Sequence, residues 1–246
     1  MAEMTQSPND TAIGIGIACG ILGSWALTTT ALVLAPQGAL PGWSLPAVVA
    51  GQTFLYTGLF ITAHDGMHGT ICPRFPRINN ALGTISVGVY ALFDFRALRK
   101  AHHRHHRAPA SPDDPDYHDG QHPHPVRWYL HFLKNYLSVW QIVGMAIIFN
   151  VLRYGLGLSP ANMVLFWIVP SLLSTLQLFI VGTWLPHRQP EGGHQDQHQA
   201  SSLALPAMLS LLACYHFGYH HEHHDRPAVP WWRLPQARRD ALAQTG

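Results

Sequence analysis

A chain of 246 residues with 48% hydrophobic and only 11% charged residues carries less than half the usual charged share of a soluble domain, so its composition points to a membrane-embedded protein. The formal net charge is +2, and the basic residues form no stripe interleaved with aromatics, which argues against a nucleic-acid partner. Cys19, Cys72 and Cys214 lie far apart with no paired spacing, so neither a disulfide framework nor a thiolate metal site is indicated and they read as small buried apolar residues.

Residues 11–63 contain no Asp, Glu, Lys, Arg or His. A bilayer core takes about 20 apolar residues per helix, so this run holds two spans. Pro36, Gly38, Pro41, Gly42 and Pro46 supply a turn between them, which predicts antiparallel helices over 11–35 and 47–63, the second ending at His64. The tail over 1–10 has no Lys or Arg and no small-residue cleavage motif, so the first span stays in the mature protein. Residues 78–93 are uncharged but short and interrupted by glycine, which suits a re-entrant or interfacial helix. After a polar, His- and Pro-rich stretch, residues 135–152 and 161–185 are again free of charge and predict a second helical hairpin, its last helix kinked at Pro170. Residues 201–214, broken by Pro206, are too short to span.

The fold class predicted is therefore an all-α membrane protein with four transmembrane helices in two hairpins, short interfacial helices and a cytoplasmic histidine-rich cap formed by segments 64–134 and 186–246, all within a single domain over 1–246. Basic residues orient it, because cytoplasmic loops are enriched in Lys and Arg. Arg74, Arg77, Arg96, Arg99, Lys100, Arg104, Arg107, Arg127 and Lys134 lie between the hairpins, and Arg188, Arg226, Arg233, Arg238 and Arg239 follow the second, leaving Arg153 alone on the opposite side. Four crossings put both termini and every histidine cluster on that same face.

Those clusters carry the chemistry. His64 and His68 are one helical turn apart, and His102, His105 and His106 repeat the H-x-x-H-H spacing of His220, His223 and His224. Positions i, i+3 and i+4 share a helical face, so each trio is expected to converge on one point. Eight imidazoles are too many for one metal ion and fit two; the histidine-only set suits Zn, Cu, Fe or Ni. A redox-active iron pair would use its open positions for O2, and the membrane setting favours a lipidic substrate over the polar substrate of a hydrolytic zinc pair. Asp65, Asp114, Asp116, Glu222 and Asp225 lie within or beside the clusters, placed to accept the other ring N–H of ligating histidines. His187 emerges with the fourth span beside the same clusters.

Residues 62–69, the H-x-x-H-H of His102, His105 and His106 followed by Asp114-Pro115-Asp116, the run Gly182-Thr183-Trp184-Leu185-Pro186-His187-Arg188, and residues 214–224 followed by Pro230-Trp231-Trp232-Arg233-Leu234-Pro235 resemble the bacterial β-carotene ketolases, from about Trp25 to Pro235. The histidine boxes alone are shared with all membrane desaturases, alkane hydroxylases and sterol or carotenoid hydroxylases; residues 182–188 and 214–235 point to the ketolases. The resemblance implies a di-iron oxygenase that uses O2 and electrons from an external donor to oxidise C4 and C4′ of β-ionone rings, taking β-carotene to echinenone and canthaxanthin. It implies iron ligands at His64, His68, His102, His105, His106, His220, His223 and His224, with His187 as a ninth. His221, an extra imidazole in the last box, leaves open whether it or His220 is the ligand, and spacing favours His220.

On this reading two hydroxylations at one ring carbon give a geminal diol that loses water to leave a ketone, with the polyene held in an apolar tunnel whose entrance draws on Trp184, Tyr215, Phe217 and Tyr219. The chain has no Gly-rich dinucleotide fingerprint, and the basic face of Arg96, Arg99, Lys100, Arg104 and Arg107 offers a surface for an acidic ferredoxin. The other readings are a related membrane di-iron hydroxylase or desaturase acting on another lipid, and a transition-metal transporter. The last would place ionisable groups near the bilayer midplane, where the four spans have none. The expected location is the bacterial cytoplasmic membrane, with the active site facing the cytoplasm.

Overall fold

The computed structural model describes residues 8–194 and 196–245, so most of the tail discussed above, residues 1–7, lies outside the described residues. The described residues form helices and turns with no strand. The first charge-free run folds as α1 (Pro8–Leu34) and α2 (Leu45–His68), joined by the expected proline-rich turn. α2 continues past Ala63, so His64 and His68 sit on its last turns, and it ends at Gly69, whose φ of 78° is the left-handed conformation that glycine adopts freely.

Next come α3 (Pro76–Ala91) and α4 (Phe95–Arg107), which meet at 101°. Asp94 starts α4 by accepting the backbone N–H groups of Arg96 and Ala97 at 2.7 and 2.9 Å. The run expected as one span over 135–152 is divided: α5 (Pro125–Tyr136) meets α6 (Val139–Gly155) at 82°. The cause is local, because Ser138 and Gln141 form a reciprocal capping box that begins a new helix.

α7 (Pro160–His187) runs without a break despite its two internal prolines. A proline ring displaces the carbonyl four residues earlier. For Pro170 and Pro186 those carbonyls fall in π-helical turns, Val164–Ile168 and Ile180–Trp184, whose wider winding accommodates them. The chain closes with α8 (Ala207–Cys214), α9 (His220–Asp225) and α10 (Leu234–Thr245). Among the described residues three helices, α1, α2 and α7, are long and apolar enough to cross a membrane, or up to five if each bent pair counts as one span.

Polar staples hold the helices together. Thr57 on α2 donates to Gln177 Oε1 on α7 at 2.6 Å, and Tyr90 on α3 reaches the Ser171 carbonyl at 3.1 Å. Between membrane helices such bonds contribute about 0.6 kcal/mol each on average, and close packing supplies the rest. That packing centres on buried Tyr56, Leu59, Ile61, Met163, Leu178 and Tyr215. Outside it, Leu27, Trp43, Trp140, Ile142, Val151 and Leu172 are exposed, an apolar surface of the kind that faces lipid.

The turns of the two hairpins meet at one end. Gln37 donates to Ser159 Oγ at 2.9 Å, and Asn162 donates to the Ala35 carbonyl at 2.8 Å. Consequently the last turns of α2 and α7, which carry His64, His68 and His187, lie together at the other end.

Candidate metal centre

Four helices deliver nine imidazoles to that end. α2 gives His64 and His68, α4 gives His102, His105 and His106, α7 gives His187, and α9 gives His220, His223 and His224. The final box is aimed by a sharp reversal: Tyr215 and His216 are both left-handed, with φ of 48° and 63°, so the chain doubles back after α8 before α9 begins.

The nine form two groups, and the trios divide instead of converging. His64, His68, His102, His106 and His223 make one group; His105, His187, His220 and His224 make the other. Each H-x-x-H-H helix therefore sends its i, i+4 pair to one group and its remaining imidazole to the other. α4 gives a pair to the five-histidine group and His105 to the four-histidine group; α9 does the reverse. The groups adjoin, with the His106 and His224 rings stacked at 4.2 Å.

Within each group the ring nitrogens face one another. Nε2 atoms stand 2.7 Å apart between His68 and His102, 3.1 Å between His102 and His106, and 3.0 Å between His106 and His223. In the second group they are 3.0 Å apart between His187 and His220, 3.1 Å between His220 and His224, and 3.1 Å between His105 and His224. Two ligands at right angles around a metal with arms of about 2.1 Å are about 3.0 Å apart, so these separations suit six-coordinate metal geometry. Among the described residues, both nitrogens of buried His64 lack any hydrogen-bond partner, as do Nδ1 of His220 and of His224. A buried polar nitrogen without a partner is costly, and a shared cation is the chemistry that relieves it. The donor set fits a pair of imidazole-bound transition-metal ions.

Burial first, and then the neighbouring imidazoles, hold His220, His223 and His224 well below the usual histidine range, in the neutral form that can ligate. His105 differs. Burial opposes its charge, yet the carboxylates of Asp116 and Asp114 outweigh burial and raise it. Its Nδ1–H donates to both Asp114 oxygens at 2.9 and 3.0 Å, which turns Nε2 inward. Asp114 also accepts from the backbone N–H of Ala110 and of Asp116, each at 2.8 Å, and is lowered because these bonds and His105 overcome its burial. Asp116 is pushed up to about 6, chiefly by burial, and accepts a hydrogen bond from the Tyr136 hydroxyl. His187 donates its Nδ1–H to the Gln199 carbonyl at 2.8 Å, which likewise leaves Nε2 facing the group.

An apolar cavity of about 170 Å³ opens directly onto both groups. His64 and His102 line it from one and His105 and His220 from the other; Phe60, Tyr90, Phe132, Leu137, Leu178 and Phe217 form much of the wall. Phe217 lies so close to Gly182 that a Cβ there would overlap its ring. Of the four aromatics expected at an entrance, Phe217 alone lines the cavity. Tyr215 stacks on Phe54 with ring centroids 4.3 Å apart, Tyr219 donates to the Leu205 carbonyl at 2.7 Å, and Trp184 lies under the Arg188 guanidinium at 5.5 Å.

The carboxylates separate in the same way. Asp114 and Asp116 attend His105, whereas Asp65, 3.6 Å from His64 Nδ1, accepts the Trp231 backbone N–H at 3.2 Å. Glu222 is held by Ser202 and by Arg238 at 2.6 Å, which ties α9 to α10. Asp225 is exposed, 3.9 Å from His198 and 3.2 Å from Arg226. His221 turns away from the groups, towards Asp196 at 3.8 Å, while His220 turns in. Sequence reasoning missed Tyr136, Phe132 and the Gln199 carbonyl. The first two sit in an aromatic-rich helix that nothing marked as facing the histidines, and a backbone carbonyl has no sequence signature.

Histidine boxes on membrane-type helices around an apolar cavity define a class, and the comparisons agree with it. The chain belongs to the fatty acid desaturase family, whose sequence model matches residues 40–153 and 134–246. Within that family it is 43% identical over 234 residues to a beta-carotene ketolase of Paracoccus sp., covering 93% of each chain, and 43% identical over 238 residues to that of a second Paracoccus strain. A beta-carotene ketolase of Haematococcus lacustris is 38% identical over 201 residues, 79% of this chain and 62% of the relative.

Proposed function

We propose that the chain is a membrane-bound β-carotene ketolase, which uses O2 and two electrons per hydroxylation to convert the C4 and C4′ methylenes of β-ionone rings to ketones. The observation that carries this reading is the apolar cavity walled by imidazoles of both groups, in a chain 43% identical to a beta-carotene ketolase over 93% of its length. His64, His68, His102, His106 and His223 hold one iron, and His105, His187, His220 and His224 the other. When bound, the iron pair supplies the O2-activating redox chemistry.

The residues of the chain do the rest. Phe217, Phe132 and Leu178 enclose a ring and exclude water, so the reacting carbon is fixed by proximity. Asp114 and the Gln199 carbonyl accept the Nδ1–H of His105 and His187, which sets the tautomer whose Nε2 lone pair faces inward. A cavity of about 170 Å³ is smaller than the roughly 300–1,000 Å³ typical of small-molecule sites, which suits a single ring with the polyene continuing towards lipid. Two hydroxylations at C4 give a geminal diol, and loss of water leaves the ketone. Electrons come from a ferredoxin-type donor.

α6 completes a fourth crossing and α3 is re-entrant, so that four crossings place the histidine end on the cytoplasmic face of a bacterial inner membrane, within one domain. Exposed Trp140, Ile142, Ile147 and Val151 along α6 support the crossing, and the Lys and Arg distribution supports the orientation. Expression in carotene-producing bacterial cells tests the function: echinenone and canthaxanthin are expected. Unchanged β-carotene, or accumulation of hydroxylated rings without ketone, overturns it. Purified protein is expected to hold about two iron ions per chain.

A further inference from the structure

The helix that carries His102, His105 and His106 inward has a second face. Arg96, Arg99, Lys100, His103 and Arg107 follow one another at helical spacing and, with Asn80 and Thr84 of α3, line a surface groove of about 800 Å³. Among the described residues Arg96, Arg99, Lys100 and Arg107 form no ion pair with an acidic side chain. Like charges at i, i+4 on a helix repel one another, and this stripe leaves them uncompensated. Arg104 is not part of it; its side chain lines a separate groove with Asp114 and Tyr136.

The floor of the basic groove is one imidazole from the five-histidine group. His103 donates its Nε2–H to the Met67 carbonyl at 3.1 Å, and its ring centroid is 5.9 Å from that of His68. His68 in turn stands 2.7 Å, Nε2 to Nε2, from His102. His103 is thus the side chain that both lines the groove and touches the shell of that group.

We propose that this groove docks an acidic one-electron donor protein, and that electrons cross His103 into the five-histidine group before the four-histidine group. The proposal rests on the oxygenase reading above. With iron bound, each encounter would oxidise the donor's reduced centre by one electron, and the metal that His68 and His102 would help to hold would take up that electron. Two encounters, with two protons and one O2, convert one C–H to C–OH and release one water. An uncompensated basic surface attracts such a partner through long-range charge, raising association rates in a salt-dependent way. An anionic lipid headgroup would use the same charges but would have no use for an imidazole bridge to the metal shell.

Two measurements on iron-loaded protein in detergent, with a net-acidic [2Fe–2S] ferredoxin as probe, test it without carotenoid. The double variant R99E/K100E is expected to weaken ferredoxin binding by at least about tenfold at 50 mM salt and to flatten its salt dependence, with iron content retained. His103→Leu is expected to leave that affinity unchanged but to slow reduction by pre-reduced ferredoxin about tenfold or more, while reduction by dithionite is unaffected. Unchanged ferredoxin binding in R99E/K100E overturns the docking surface, most clearly if the variant instead loses retention on phosphatidylglycerol vesicles. Unchanged reduction in His103→Leu overturns the route. Because neither readout includes carotenoid, both stand whatever becomes of the β-ionone assignment.

Discussion

The two imidazole groups share two helices and one spacing, yet they are held in place differently. In the four-histidine group, two members are oriented from behind: His105 by the Asp114 carboxylate at 2.9 Å and His187 by the Gln199 carbonyl at 2.8 Å. Among the described residues the five-histidine group has no such bonds to carboxylate; the nearest, Asp65, stands 3.6 Å from His64 Nδ1. It relies instead on two i, i+4 pairs, His64/His68 and His102/His106, on helices that fix their Cβ vectors. The contrast teaches that a ligand can be aimed either by a hydrogen bond that sets its tautomer or by being one of a pair on a rigid helix.

The sharpest way to break this comparison is to remove neighbours in sequence that belong to different groups. His223→Ala and His224→Ala are each expected to reduce iron from about two towards one per chain and to cut ketone formation more than about 100-fold, a larger loss than removal of a supporting partner. Spectroscopy of the remaining iron should differ between them. Identical residual spectra would mean that the two groups act as one cluster.

Next in size is the supporting carboxylate. Asp114→Asn keeps the shape but removes the charge behind His105, and is expected to weaken iron at the four-histidine group by about 10–100-fold. Asp65→Asn, which retains an acceptor for the Trp231 N–H, is expected to change iron retention by less than about threefold. Iron titration with a competing chelator measures both, and equal losses would erase the distinction between the groups.

The cavity touches both groups, so disturbing its wall should affect them together. In Gly182→Ala the new Cβ overlaps the Phe217 ring. Overpacking of this kind costs about 1–3 kcal/mol, and kcat/KM is expected to fall about fivefold or more with iron content unchanged. The double variant with Phe217→Leu should recover much of the loss. Failure to recover would show that Gly182 matters for the π-helical turn alone.

How much of this was legible in the sequence depended on whether the cause was local. The hairpin of α1 and α2 could be read because 53 residues without charge admit little else, and the box spacings could be read because helical periodicity is local. The division of His102 and His106 from His105 could not, since it depends on where α2, α7 and α9 approach α4. The break before Ser138 left a readable capping signature, but hydropathy runs across it unchanged. The aromatic wall was misjudged for a similar reason: Tyr215 and Phe217 are two residues apart, and the left-handed pair at Tyr215 and His216 sends one to Phe54 and the other to the cavity.

The smallest expected effect concerns backbone strain, and it separates the two groups by sign. The left-handed residue that ends α2 beside the five-histidine group is Gly69, at φ 78°, where no Cβ is penalised. Behind the two partners that orient His105 and His187 in the four-histidine group, the left-handed residues are Ala110, at φ 53°, and Gln199, at φ 44°. Ala110 is held there because its N–H donates to Asp114 at 2.8 Å, so the strain is tied to the carboxylate that aims His105. A left-handed alanine costs about 1–2 kcal/mol, and the extra unfolded-chain freedom of glycine returns about 0.4–1 kcal/mol of that. Ala110→Gly is therefore expected to stabilise the protein by about 0.5–1 kcal/mol, or about 1–4 °C in Tm for a chain of this size. Gly69→Ala should destabilise it by about 1 kcal/mol. Thermal unfolding in detergent distinguishes them, and a loss of stability in Ala110→Gly would mean that the Asp114 loop is not strained in its native conformation.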